Sequence, residues 1–97
     1  MNINEMLKNA KRIQAEMEKE ESKIEKEEFV IEKQGITVVM LGSRKIKSIT
    51  INEALIDPDD PELIQDLVMI AVNEAIDTVN SRYEELGSKY QGSGLPF

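Results

Sequence analysis

The chain lacks cysteine, histidine and tryptophan, and the first two absences remove most of the usual equipment of an enzyme. Without cysteine there is no disulfide bond and no thiolate nucleophile, and without histidine the commonest general base and imidazole metal ligand are missing. The carboxylates are not accompanied by an activated nucleophile, a glycine-rich phosphate loop or a set of metal ligands. We therefore expect no enzymatic activity, no catalytic residues, no cofactor and no bound metal.

Long apolar runs and aromatic side chains are also scarce. No stretch approaches the length of a membrane span, and the N-terminus lacks the hydrophobic core of a signal peptide. We therefore expect a cytoplasmic protein without a membrane partner. Stacking on single-stranded nucleic acid is disfavoured, because it needs aromatic rings. The aromatic residues are Phe29, Tyr83, Tyr90 and Phe97.

The length of 97 residues, with 40% hydrophobic and 32% charged residues, fits a single soluble domain with a small core. A second copy of the chain would help to bury apolar surface. We place the domain at residues 1–87. Residues 88–97, SKYQGSGLPF, are rich in glycine and serine and are expected to form a flexible C-terminal tail. Tyr90, Leu95 and Phe97 in this tail are candidates to dock on a neighbour.

The net charge of −7 would repel phosphate if it were spread evenly over the surface. Its distribution is uneven. Residues 33–52 carry four basic side chains and no acidic one, whereas residues 53–86 carry ten acids and Arg82 as the one base. A second basic patch, Lys8, Lys11 and Arg12, lies on the first predicted helix. The chain is therefore divided into basic and acidic regions.

The first helix is predicted over about residues 3–25, because apolar residues recur there at alternating spacings of three and four. Glu20 interrupts this heptad seam. At 1.5 Å per residue the helix is about 35 Å long, so part of it should project beyond a three-stranded sheet. The seam consists of Ile3, Met6, Ala10, Ile13, Met17 and Ile24.

Three short strands are predicted at residues 28–33, 36–41 and 45–51, with a turn at Gly35 and a second turn at Gly42-Ser43. Glycine at the first central position fits a two-residue hairpin loop. That register would place Lys45 and Lys47 at one end of the more apolar face, so a three-residue second loop remains an alternative. With two-residue loops, one face holds Phe29, Ile31, Val38, Met40, Ile49 and Ile51, and the other holds Val30, Val39 and Ile46.

The second long helix is predicted from Pro61 to about Leu86, with Gly87 as its stop. Asp60 suits the capping position before it. The acids Asp57, Asp59, Asp60 and Glu62 are better explained by this helix start than by a cation site, because the spacing and the glycine of a calcium loop are absent. The helix carries a wide apolar stripe made of Ile64, Leu67, Val68, Ile70, Ala71, Val72, Ala75 and Val79.

The element order α-β-β-β-α predicts an α+β fold, in which a three-stranded antiparallel meander is flanked by two long helices. Both faces of the sheet carry apolar residues. Because the helices cover one face, the remaining apolar surface predicts a homodimer. The residues assigned to the core and the dimer contact are Phe29, Ile31, Val38, Val39, Met40, Ile49, Ile51, Leu67, Val68 and Ala71.

The segment ITINEALIDPDDPELIQDLVMIAVNEAIDTV resembles the last strand, acidic turn and C-terminal helix of the YbaB/EbfC nucleoid-associated proteins of bacteria. In that family a V-x-I-D-P strand end precedes an L-x-D-L-V-x-x-A-x-N-x-A helix. The helix pattern is matched by Asp66, Leu67, Val68, Ala71, Asn73 and Ala75, with Ile64 in place of its first leucine. The family pattern K-x-A-x-x-x-Q-x-x-M of the first helix is met by Lys8, Ala10, Gln14 and Met17. Asn52-Glu53 replaces the usual Asp-Pro.

The resemblance implies a small cytoplasmic, nucleoid-associated homodimer whose helices project like the arms of tweezers and which associates with double-stranded DNA. It implies no catalytic residue. Basic side chains provide the candidate DNA contacts, mainly to backbone phosphates and with little sequence preference. For the hairpin residues the alternative is protection of an edge strand against aggregation, and for Arg12 it is an ion pair with Glu16. The candidates are Lys33, Arg44, Lys45, Lys47, Lys8, Lys11 and Arg12.

A second class of function is a protein-interaction module or a holdase-like chaperone that uses the projecting helices, since heptad helices also suit partner binding. Salt-dependent binding of the purified chain to duplex DNA, measured beside a client-protein aggregation assay, distinguishes the two classes.

Overall fold

The computed structural model describes residues 2–90 and has the α+β architecture predicted from the sequence. Helix α1 spans Ile3–Lys26, and a three-stranded antiparallel sheet follows in the order β1-β2-β3. The strands are β1 Glu28–Lys33, β2 Ile36–Leu41 and β3 Ile46–Ile51. A short 3₁₀ turn, Glu53–Leu55, leads to helix α2, Pro61–Tyr90. Within the described residues, neither long helix has the length and apolar character needed to cross a membrane.

Helix α1 begins at a side-chain cap and ends directly at the sheet. The Asn2 side chain accepts a hydrogen bond from the Glu5 N–H at 2.8 Å, which satisfies one of the free donors of the first turn. Lys23 and Lys26 lie in the last turn, where positive charge favours the helix dipole. The apolar residues of the heptad seam are exposed at the start of this helix, at Ile3, and buried near its end, at Ile24.

The first hairpin has the predicted two-residue loop. Gln34 and Gly35 both have positive φ angles, 49° and 92°, as a tight turn between twisted strands requires. Phe29 therefore pairs with Met40, and Ile31 with Val38. These pairs share the sheet face that packs against α2.

The second hairpin differs from the predicted two-residue loop and has the three-residue alternative. Arg44 adopts a left-handed φ of 68°, and its N–H donates to the Leu41 carbonyl at 2.8 Å. The register then shifts between Val39 and Met40, so that Ile46 pairs with Met40. Ile46 therefore does not share a face with Val30 and Val39, as it would if both loops had two residues. Gly42 allowed either loop, and the sequence did not reveal the bulge.

The core lies between the central strand β2 and helix α2. Ile36, Val38 and Met40 alternate along β2 and are buried, which is the period expected for one face of a strand. Their partners on α2 recur at every fourth position, which places them on one helix face; they are Leu67, Ala71, Ala75 and Val79. The remaining members of the predicted core set are half-buried, except Ile49, which is 41% exposed; the half-buried ones are Phe29, Ile31, Val39, Ile51 and Val68.

Helix α2 continues through Gly87 to Tyr90, so its predicted end at Leu86 is wrong. Its last turn contacts α1 at the residue that interrupts the heptad seam. The Lys89 ammonium lies 2.6 Å from Glu20 Oε1, and the Tyr90 hydroxyl donates to Glu20 Oε2 at 3.2 Å. The hydrogen bond from Lys89 lowers the pKa of the Glu20 carboxyl below its ordinary value. These contacts favour a helical turn that glycine alone would disfavour by about 1 kcal/mol.

The predicted flexible tail is therefore helical over residues 88–90. Its other residues, with Leu95 and Phe97, lie outside the described part of the chain.

Candidate nucleic-acid interface

The hairpin between β2 and β3 is held against the helices by three hydrogen bonds of its backbone. The Gly42 and Ser43 N–H groups donate to the carbonyls of Glu27 and Glu25 at 3.0 and 3.1 Å. From the other side, the Tyr83 hydroxyl of α2 donates to the Gly42 carbonyl at 2.8 Å. Partial burial raises the pKa of Tyr83, so its hydroxyl keeps the proton that it donates. The loop that carries the basic residues is thus a rigid part of the fold.

Arg44 in this loop points to α2. Its Nε and one terminal nitrogen lie 3.0 and 2.6 Å from the Asn80 side-chain oxygen. Its guanidinium also lies over the Tyr83 ring, 5.0 Å from the ring centroid, at a distance suited to a cation–π contact. To contact a phosphate, Arg44 would therefore have to bind it in addition to Asn80 and the Tyr83 ring, or lose those two contacts.

Three more of the seven candidates have ionic partners within the chain. Lys33 lies 3.5 Å from Glu74, and Lys47 pairs with Glu28. Arg12 pairs with Glu16 at 3.3 Å, as the i,i+4 spacing predicts. All three pairs are exposed, so each contributes little to stability.

The other three candidates are exposed and have no ionic partner within residues 2–90: Lys8, Lys11 and Lys45. The structure does not bring them into one patch. Lys45 lies beside the hairpin that contacts Glu25, whereas Lys11 is about 20 Å away along α1, at 1.5 Å per residue. One subunit therefore presents two separate basic positions.

The sequence did not indicate the side chains that contact the basic residues, especially Asn80 and Tyr83, which contact Arg44. It also missed a cleft of about 490 Å³ between α1 and the end of α2. Glu20, as a polar residue in an apolar seam, was the one signal that pointed there. The cleft has mixed charge, and its lining residues are Glu16, Lys19, Glu20, Lys23, Lys89 and Tyr90.

The acidic turn before α2 forms local structure. The Asp57 carboxylate accepts a hydrogen bond from the Asp59 N–H at 2.9 Å, which closes the turn. Among residues 2–90, no group of three or more acidic side chains is arranged to hold a metal ion.

Comparisons with known proteins extend over nearly the whole chain. A nucleoid-associated protein of Metamycoplasma arthritidis is 67% identical over 95 residues, covering 98% of this chain and 100% of that protein. A second nucleoid-associated protein, from Mycoplasmopsis pulmonis, is 46% identical over 97 residues, covering 100% and 97%. The crystal structure of an uncharacterized protein from Helicobacter pylori has the same fold, with a TM-score of 0.77, 18% identity, and coverage of 95% of this chain and 99% of that chain.

The two relatives are named for association with the nucleoid, and neither name describes an enzyme. The profile of the YbaB/EbfC DNA-binding family matches residues 1–95, and this chain therefore belongs to that family.

Proposed function

We propose that this protein is a nucleoid-associated homodimer of the bacterial cytoplasm that binds duplex DNA through backbone phosphates, with little sequence preference. The observation that carries the proposal is that three of the seven candidate cations, Lys8, Lys11 and Lys45, are exposed and have no ionic partner within residues 2–90, in a chain of net charge −7. In an acidic chain, cations that make no internal ion pair are available to an anionic ligand. Family membership and the names of the relatives support DNA as that ligand.

Phosphate rather than base recognition follows from the kind of side chain involved. A lysine ammonium is a compact charge on a flexible stem, which suits phosphate oxygens but does not present the paired donors that read a guanine edge. Arginine has such donors, but Arg44 is turned to Asn80 and Tyr83. Contacts from Lys8, Lys11 and Lys45 would therefore fix the protein on the duplex without selecting a sequence.

The homodimer is supported by the part of the sheet that the two helices of the same chain do not cover. Helix α2 packs on β1 and β2, whereas five of the six residues of β3 are exposed. Ile46 and Ile49 are among them, on an edge strand whose free backbone groups favour pairing. A second copy placed against β3 would bury these residues and double the number of unpaired lysines.

We expect Ile49→Lys to turn the dimer into a monomer, because an ammonium group would replace apolar contact at the centre of this surface. Val30→Lys is the matched control: Val30 is also an exposed β-branched residue, but it lies on the opposite edge strand β1. Sedimentation equilibrium should find the control at the mass of the parent. A parent chain that sediments only at 11.0 kDa at micromolar concentration would exclude the proposed dimer.

Six of the seven candidate cations, all except Arg12, form two sets of equal charge that we expect to behave differently. Replacing Lys8, Lys11 and Lys45 by glutamine should weaken binding to every duplex alike and make affinity almost independent of salt, because six phosphate contacts per dimer are lost. Replacing Lys33, Arg44 and Lys47 by glutamine should leave the salt dependence nearly unchanged and lower the thermal midpoint slightly, because the contacts of Arg44 with Asn80 and the Tyr83 ring are lost. Fluorescence anisotropy with labelled duplex measures the first effect, and circular dichroism measures the second. Equal loss of binding in both sets would show that internal pairing does not decide which cations reach DNA.

A further inference from the structure

The first fifteen residues of α1, residues 3–17, are named the arm, and the apolar side chains at its start are exposed. Ile3 is 74% exposed, Met6 55% and Leu7 54%. Lys11 follows Leu7 by one turn, and Lys8 lies one turn before Lys11 on the same side of the helix. The arm thus presents an apolar stripe bordered by two lysines that have no ionic partner in the described chain.

The N-terminal half of α2 carries the opposite pattern. Leu63 and Ile70 are exposed and lie two turns apart, as Ile3 and Ala10 do on the arm. Asp66 and Asp77 are exposed on the same side of the helix as Ile70. We name these four residues the acidic face, and no lysine or arginine occurs anywhere in residues 48–81.

The arm and the acidic face point to opposite ends of the molecule. Helices α1 and α2 run antiparallel, because Glu20 contacts Lys89 while Glu27 contacts Arg82. Since α2 reaches Glu20 only at its last described turn, the arm continues beyond it. At 1.5 Å per residue α2 is about 45 Å long, and the arm accounts for most of the remainder of the 71 Å long axis. A chain therefore cannot cover its own arm with its own acidic face.

We propose that the arm of one copy packs on the acidic face of another copy and joins copies end to end. Apolar contact would form between the Ile3 and Leu7 side of the arm and the stripe of Leu63 and Ile70. Lys8 and Lys11 of the arm meet the carboxylate of Asp66, which lies between Leu63 and Ile70, and Asp77, about 16 Å further along α2, adds attraction at longer range. The joint does not depend on DNA. Because two different surfaces meet, it repeats from copy to copy instead of closing on itself.

The joint is weak and depends on salt. Three to four turns of helix on each side bury less than the roughly 800 Å² per partner of a standard stable interface. Assemblies larger than the dimer therefore form only as concentration rises from micromolar towards millimolar. Exposed ion pairs are screened within about 10 Å at 0.1 M salt, so added salt shifts the equilibrium back to the dimer.

Charge reversal on each surface tests the joint with the purified full chain. One variant carries Lys8→Glu and Lys11→Glu, and a second carries Asp66→Lys and Asp77→Lys. Each variant alone should stay at the dimer mass over the concentration range in which the parent forms larger assemblies. The reason is that like charges then meet at every joint. An equal mixture of the two variants should again form assemblies larger than the dimer, since the acidic arm of one variant then meets the basic face of the other. Sedimentation velocity measures the size, and circular dichroism verifies that every variant is folded.

A matched control carries Lys19→Glu and Lys26→Glu on α1, which changes the net charge as much as the arm variant does. It should associate as the parent does. The proposal is overturned if the Asp66 and Asp77 variant alone grows like the parent, since that result means that arms pair with arms. It is also overturned if the mixture of the two reversed chains stays at the dimer mass, or if the parent shows no growth at low salt.

Discussion

Replacing Gly42 with alanine is expected to cost this protein about 3 kcal/mol or more in the free energy of unfolding, a large share of the stability of a small domain. A β-carbon at this position would lie 1.7 Å from the carbonyl oxygen of Ile24 and 2.5 Å from its carbonyl carbon. Both atoms belong to the backbone of α1 where it ends against the hairpin, so a side-chain rotation cannot relieve the overlap. The hairpin must move away from the helix, and the hydrogen bonds of Gly42 to Glu27 and of Ser43 to Glu25 are lost with it.

Gly87→Ala is the matched control, since within residues 2–90 no atom other than those of its chain neighbours and its own helix backbone lies within 4 Å of a β-carbon built at Gly87. Because this residue lies inside α2, alanine should raise stability there by about 0.5 to 1 kcal/mol. Chemical denaturation followed by circular dichroism measures both variants. If Gly42→Ala unfolds at the same denaturant concentration as the parent, the close contact between α1 and the hairpin is wrong.

Ala71→Asp is expected to have an effect of similar size, because it puts a carboxylate into the centre of the core. Ala71 is fully buried on the face of α2 that packs on Ile36, Val38 and Met40. An ionised group there has no partner, and burial of an unpaired charge costs several kcal/mol. We expect the thermal midpoint to fall by at least about 10 °C.

Asn73→Asp adds the same charge two residues later, at an exposed position of the same helix, and should change the midpoint little. The difference between these two variants separates burial from net charge. Equal midpoints for both would contradict the assignment of the buried face of α2.

The elements that the sequence predicted well are those determined by local patterns. The spacing of Ile3, Met6 and Ala10 indicated α1, and the alternation of Ile36, Val38 and Met40 indicated β2; both elements have nearly the predicted bounds. The second hairpin was less predictable, because Gly42 allows more than one loop length. Tertiary contact decided the end of α2, since Lys89 and Tyr90 find Glu20 across 69 and 70 residues.

The contacts of the candidate site were likewise predictable only where the two residues are close in sequence. The pair of Arg12 and Glu16 was predictable because it lies within one helix. Asn80 and Arg44 meet across 36 residues, and nothing in either segment indicates the other. The sequence could therefore indicate where positive charge is concentrated. It could not indicate which basic side chains lack a partner within the chain and are available to a ligand. That depends on side chains that the fold brings close together.

The most direct test of DNA binding is the salt dependence of the affinity of the parent chain for duplex DNA. Fluorescence anisotropy with two labelled duplexes of unrelated sequence should give the same dissociation constant for both at each salt concentration. With three lysines from each subunit at phosphates, the logarithm of the association constant should fall against the logarithm of salt concentration with a slope of about −5. Absence of binding even at low salt, or an affinity that does not change with salt, would contradict the account.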